Sequence, residues 1–104
     1  GNPRLGVPDI SRIAGIADEF HLPLIVDSTF TTPYLFRPID YGASIVAHSL
    51  TKWIGGHGTA VGGIVIDSGK FDWSDSKFRM FVEPEESYHG LRFAHDLGPL
   101  QEMA

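Results

Sequence analysis

Ser49, Thr51 and Lys52 bring two hydroxyls and a primary amine within four residues of one another, with Gly55, Gly56 and Gly58 just beyond. Hydroxyls at i and i+2 can donate hydrogen bonds to one phosphate, and an amine beside them is a nucleophile toward a carbonyl. Such a group is half of a cofactor cradle. A hydroxyl-rich turn carrying a solvated lysine fits the same residues, and residue types alone favour that plainer alternative. Asp27 is the second candidate. It follows Leu24, Ile25 and Val26, where an unpaired carboxylate is costly, and ligands bind at the strand ends of open α/β sheets. A helix cap or turn aspartate is the plain alternative there.

Other chemistries find little footing. The glycines between Gly55 and Gly63 match neither the nucleoside-triphosphate loop nor the dinucleotide fingerprint. His21, His48, His57, His89 and His95 lack compact ligand spacing, so no metal site is expected. His57, set among glycines, reads as a loop residue. Trp53 and Trp73 are not interleaved with basic clusters, so the aromatic residues are assigned to core or subunit contacts rather than to base stacking.

The elements that must position Asp27 and Lys52 follow from periodicity. Between Pro8 and about His21, the residues Ile10, Ile13, Ala14, Ala17 and Phe20 share one helical face, with Pro8 suited to the first turn and Asp9 to the positive helix end. Leu24–Val26, Ser44–His48 and Gly63–Asp67 are short apolar runs of the kind buried on both faces in a parallel sheet. Two prolines and several hydroxyls from Ser28 to Pro38 predict an ordered loop rather than a crossover helix. One helix is expected around Ser74 to Phe81.

The chain has 104 residues, 42% of them apolar, with 13 acidic against 8 basic side chains for a formal charge of −5, and no cysteine. One ordinary domain is the ceiling, and the negative charge argues against a nucleic-acid surface. Without cysteine there is no disulfide scaffold, and a reducing, cytoplasmic setting is expected. The apolar runs fall short of the roughly 18 to 20 residues needed to span a bilayer. An opening at Gly1-Asn2-Pro3 and a last stretch that reads as the start of a helix suggest that residues 1–104 are a fragment.

Val26-Asp27-Ser28-Thr29-Phe30-Thr31-Thr32-Pro33-Tyr34-Leu35, followed by His48-Ser49-Leu50-Thr51-Lys52-Trp53-Ile54-Gly55-Gly56-His57, resembles the central segment of the pyridoxal-phosphate enzymes of cysteine and methionine metabolism. That family has a three-layer α/β/α catalytic domain of the aspartate-aminotransferase type (type I), with a mostly parallel sheet, and the resemblance implies that residues 1–104 are a fragment of that pyridoxal-phosphate-binding domain. The resemblance implies pyridoxal 5′-phosphate as cofactor. Lys52 would be the Schiff-base lysine, Asp27 the partner of the pyridine nitrogen, Ser49 and Thr51 donors to the cofactor phosphate, and Asn2 a neighbour of the phenolic oxygen. Ser28 stands where family members often have Asn.

Val65–Trp73 and Glu83–Leu91 resemble the O-acetylhomoserine sulfhydrylase branch. The implied reaction is γ-replacement, in which sulfide or methanethiol takes the place of acetate and homocysteine or methionine is released. A cystathionine γ-synthase or γ-lyase of the same family is the neighbouring alternative, and a non-catalytic phosphate-binding module is the alternative from another class. The resemblance further implies a homotetrameric parent enzyme acting on small amino-acid substrates. The family's upstream phosphate loop, its stacking Tyr and its substrate-carboxylate Arg would lie outside these residues.

Overall fold

Asp9 begins the ordered architecture by capping a helix: its carboxylate accepts from the Arg12 backbone N–H at 3.1 Å, and α1 runs Ile10–Glu19. Pro8 therefore sits before the cap rather than in the first turn. The computed structural model describes residues 4–97, which divide into two units at Ser68/Gly69. Asn2 lies outside the described residues.

In the first unit, α1 buries Ile10 and Ala14 and half-buries Ala17, a narrow stripe at helical spacing. Ile13, Ile16 and Phe20 stay exposed, so the face predicted from the sequence is only partly covered. Helix α1 approaches the tight turn Pro38–Tyr41 so closely that a Cβ on Gly42 would lie 2.7 Å from the Ala14 Cβ. Gly42 is also left-handed at φ +96°, and both facts require glycine.

Strands β1 (Ile25–Asp27), β2 (Ile45–Ser49) and β3 (Gly63–Asp67) form one sheet in that order. Strands β1 and β2 are parallel, with Asp27 opposite Ala47. Strands β2 and β3 are antiparallel, with Ser49 opposite Gly63. The second pairing departs from the parallel expectation for a physical reason. A parallel return needs a crossover element, whereas segment 50–62 folds back on itself through glycine-rich turns. Val46 is 2% exposed at the sheet centre, but Ile25 and Val65 are open to solvent, so the strands are not covered on both faces here.

The stretch after β1 is a loop broken by a short helical turn, not a crossover helix. A helical turn, α2, spans Thr32–Leu35; Pro33 is tolerated because its missing N–H falls in the first turn, where no partner exists anyway.

In the second unit, α3 (Arg79–Val82) and α4 (Phe93–Asp96) are single turns. The longer helix expected around Ser74 does not form. Asp72 accepts from both the backbone N–H and the hydroxyl of Ser74, and Asp75 accepts from the Lys77 N–H, so aspartate-closed turns compete with helix there. Phe71, Trp73, Phe78 and Phe81 pack edge-on or tilted at ring separations of 4.7–5.5 Å and give this unit its apolar centre.

Candidate active site

Parallel pairing sends the C-terminal ends of β1 and β2 to the same edge of the sheet. A cleft of about 780 Å³ opens there, and Asp27, Thr29, Ser49, Lys52, Phe30 and Trp53 are among the residues that line it. Three of the sequence-predicted residues, Asp27, Ser49 and Lys52, thus meet at one cavity although up to 25 positions separate them in the chain. Its size is that of a small-molecule site.

The Asp27 carboxylate accepts the Thr29 backbone N–H at 2.9 Å. Hydrogen bonds from the Thr29 side chain and backbone hold the Asp27 carboxyl below its ordinary value; His48 adds a smaller push in the same direction, and burial opposes both. At neutral pH Asp27 is therefore an anion facing the cleft.

Lys52 lies within a wide turn, Leu50–Ile54, closed by the Gly55 N–H donating to Leu50 O at 2.8 Å. Its backbone leaves helical values, φ −93° and ψ −116°, and its side chain is exposed, with no hydrogen bond or ion pair among the described residues. Gly55 is required by proximity, since a Cβ there would meet Leu50 O at 2.6 Å. The Gly56 N–H in turn donates to Lys52 O at 2.7 Å, so the lysine backbone is anchored.

Ser49 presents its side chain to the cleft with its backbone half-buried. Thr51 is placed differently from the expected pair of phosphate donors, and it does not line this cleft. Its Oγ1 accepts from the Gly62 N–H at 2.9 Å and donates to Gly62 O at 3.2 Å, pinning the lysine turn to the start of β3. The incoming N–H fixes the oxygen, while the hydroxyl proton can rotate between Gly62 O and an anion.

Successive residues of a strand face opposite sides, and His48 accordingly points away from Ser49 into a second cleft of about 180 Å³ with Val46 and Ile66. It is 4% exposed, and its Nδ1 lies 3.0 Å from Ser28 O. Ser28 is itself buried, with its hydroxyl 2.6 Å from Thr31 Oγ1. These contacts fasten the chain just after Asp27. His57 bonds to its own turn, with Nδ1 3.0 Å from Gly55 O. No group of three His, Cys, Asp or Glu side chains converges on a metal position among the described residues.

Sequence reasoning missed Thr29. An aspartate followed two residues later by a backbone donor is a legible turn signature, but the second contact, Thr29 Oγ1 accepting the Ser49 N–H at 2.8 Å, spans 20 residues and has no local signal.

The donor set suits a phosphorylated aromatic aldehyde. It offers an amine for the carbonyl, an anion for a ring cation, and hydroxyl donors at a strand end for the phosphate. Comparisons with known proteins agree. The chain is 50% identical over 101 residues to an O-acetyl-L-homoserine sulfhydrylase of Leptospira meyeri, covering 97% of this chain and 23% of that protein. It is 54% identical over 103 residues to a homocysteine synthase of Schizosaccharomyces pombe, covering 96% and 24%. Among solved structures, a putative O-acetylhomoserine (thiol)-lyase of Campylobacter jejuni carrying an N′-pyridoxyl-lysine-5′-monophosphate superimposes with a TM-score of 0.87 at 32% identity, covering 99% of this chain and 26% of that one. The chain thus spans about a quarter of the length of these relatives. The fold is that of the type I pyridoxal-phosphate enzymes. Residues 1–99 match the family described as Cys/Met metabolism PLP-dependent enzyme, and the chain belongs to that family.

Proposed function

We propose that residues 1–104 are a segment of the catalytic domain of an O-acetylhomoserine sulfhydrylase, and that the complete enzyme exchanges the Cγ–O bond of O-acetylhomoserine for a Cγ–S bond, releasing acetate. The observation that carries this reading is the convergence of Asp27, Ser49 and Lys52 on one cleft at the ends of two parallel strands. Exposed apolar residues on α1, β1 and β3 support the reading of a segment, since the rest of a larger domain would cover them.

Bound in the cleft, pyridoxal 5′-phosphate supplies an electron sink for a substrate carbanion. Asp27, held ionised by Thr29, keeps a proton on the ring nitrogen. Lys52 would hold the cofactor through its amine and, when free of it, would remove and return protons at the substrate Cα and Cβ. Ser49 donates to the phosphate, joined by Thr51 when its proton rotates away from Gly62. Asn2 is assigned to the neighbourhood of the phenolic oxygen. The phosphate carries about two negative charges, which neutral hydroxyls alone do not balance, so groups beyond these residues complete the site. A homotetramer in the cytoplasm, with sulfide or a thiol as second substrate, belongs to the same proposal.

Borohydride reduction of the complete enzyme followed by peptide mapping tests the assignment, with Lys52 expected to carry the reduced cofactor. Assays with O-acetylhomoserine and either sulfide or cysteine separate a sulfhydrylase, which releases homocysteine, from a cystathionine γ-synthase. Release of an α-keto acid without added thiol would indicate a γ-lyase. Cofactor on another lysine would remove the basis of the proposal.

A further inference from the structure

We propose that Thr29 is a positioning residue whose hydroxyl couples the Asp27 carboxylate to the backbone at Ser49, so that the ring-nitrogen partner and the lysine turn are held as one rigid unit. The inference rests on the reading of Asp27 as the partner of the cofactor ring nitrogen, and it extends that reading to a residue with a different job.

The need for such a coupling arises where β1 stops. Strand pairing ends at Asp27 opposite Ala47, with the Ser28 N–H donating to Ala47 O at 2.9 Å. One residue further the chain leaves the sheet. The Ser28 carbonyl is taken by the Thr32 N–H at 3.1 Å and faces His48 Nδ1 at 3.0 Å. The Ser49 N–H thus meets no strand carbonyl on this side, and a half-buried N–H without an acceptor is costly. Thr29 Oγ1 supplies the acceptor at 2.8 Å.

A hydroxyl has one proton. With the Thr29 lone pair engaged by Ser49, that proton remains for the Asp27 carboxylate, whose pKa the Thr29 side chain lowers and to which the Thr29 backbone N–H donates at 2.9 Å. Asp27 is thus held by a single residue, and lone pairs remain for a donor from the cleft. Thr29 favours the anionic carboxylate, and the 20-residue link makes a displacement at Ser49, three residues before Lys52, a displacement at Asp27 as well. Preorganised partners of this kind act by not having to move during reaction.

The experiment compares the complete holoenzyme with its Thr29→Val, Thr29→Ser and Asp27→Asn variants, loaded with cofactor labelled with 15N in the ring. Thr29→Val keeps the shape and loses the hydroxyl. It is expected to move the ring 15N resonance toward the unprotonated position and to lower kcat about tenfold, as for loss of one hydrogen bond to a charged group, with KM little changed. Thr29→Ser is expected to restore both. In the apoenzyme, Ser49 amide exchange is expected to quicken in Thr29→Val alone. Where Thr29→Val fails to fold, Thr29→Ala takes its place. A wild-type resonance and kcat in Thr29→Val, unchanged Ser49 exchange, or a Thr29→Ser variant as impaired as valine would each overturn the proposal. If Asp27→Asn leaves the resonance unmoved, the Asp27 reading has failed, while Ser49 exchange still decides whether Thr29 makes the link.

Discussion

Segments 4–68 and 69–97 use the same polar residue types in opposite ways. In the first, the decisive hydrogen bonds join distant positions: Thr29 to Ser49, His48 to Ser28, and Ser44 Oγ to the Leu24 N–H at 3.1 Å each span 20 residues, and Thr51 to Gly62 spans 11. In the second, Ser74 on Asp72, Ser87 on Glu85, Arg79 on Glu83 and Arg92 on Asp96 close within four residues. Local closure needs only a turn. It fixes backbone shape but cannot assemble groups from separate elements into a cleft. The first segment adds long-range bonds to the local ones at the ends of its strands, and its candidate site residues meet there.

Replacing lysine in either segment offers the strongest test of this contrast. In the complete enzyme Lys52→Ala is expected to reduce turnover on the order of 10³–10⁴-fold, the upper range for loss of a proton-transfer group. Lys77→Ala, which removes an exposed partner of Asp75 at 3.9 Å, should leave turnover unchanged. Steady-state kinetics on both variants at full cofactor occupancy measure the difference.

Asp27→Asn comes next. Losing the charged partner of a developing carbanion raises the barrier by about 3 to 4 kcal/mol, on the order of 100 to 1000-fold in rate. The thermal midpoint should barely move, because Asp27 is exposed. A variant of near-normal turnover would return Asp27 to the role of a turn residue.

A matched glycine pair probes packing rather than chemistry. Gly42 and Gly90 both have positive φ, +96° and +80°, but only Gly42 has a neighbour in the way, the Ala14 Cβ. Gly90→Ala should cost about 1 to 2 kcal/mol for the left-handed backbone alone. Gly42→Ala should cost about 3 kcal/mol, with overpacking added. Urea denaturation of the two variants reads the gap, and equal costs would mean that α1 yields freely.

The smallest expected effect is on acid stability. Asp27 has a folded-state pKa below its ordinary value of 3.8, so its contribution to stability is fully present above about pH 4 and is lost as pH falls through the lower folded value. Asp27→Asn should flatten that part of the stability profile. Glu85, lowered by Ser87, and Asp96, lowered by Arg92, act in the same direction in the other segment, and the Asn variant leaves their share intact. Acid titration followed by circular dichroism checks this.

The lysine turn and the aspartate strand end were legible because their signals are local. Asp27 after an apolar run, and Ser49-Leu50-Thr51-Lys52 before glycines, are patterns of residue type and spacing. Strand β3 was legible to the residue for the same reason. Its direction was not, because apolar runs in parallel and antiparallel strands read alike, and only the length and content of segment 50–62 distinguish them. The helix expected around Ser74 failed where side-chain turns at Asp72 and Asp75 competed with weak helical periodicity.

What the amino-acid order determined alone was the inventory: which residues could hold an aldehyde, a phosphate and a ring cation, and which apolar runs could carry them. Tertiary structure decided which of these share a cleft. It brought Asp27, Ser49 and Lys52 to one sheet edge, turned His48 to the opposite face, engaged Thr51 with Gly62, and gave Thr29 a role that its neighbours in sequence do not announce. Strand pairing explains the division, since the register of β1 against β2 brings Asp27 beside the end of β2 and aligns residues 20 positions apart.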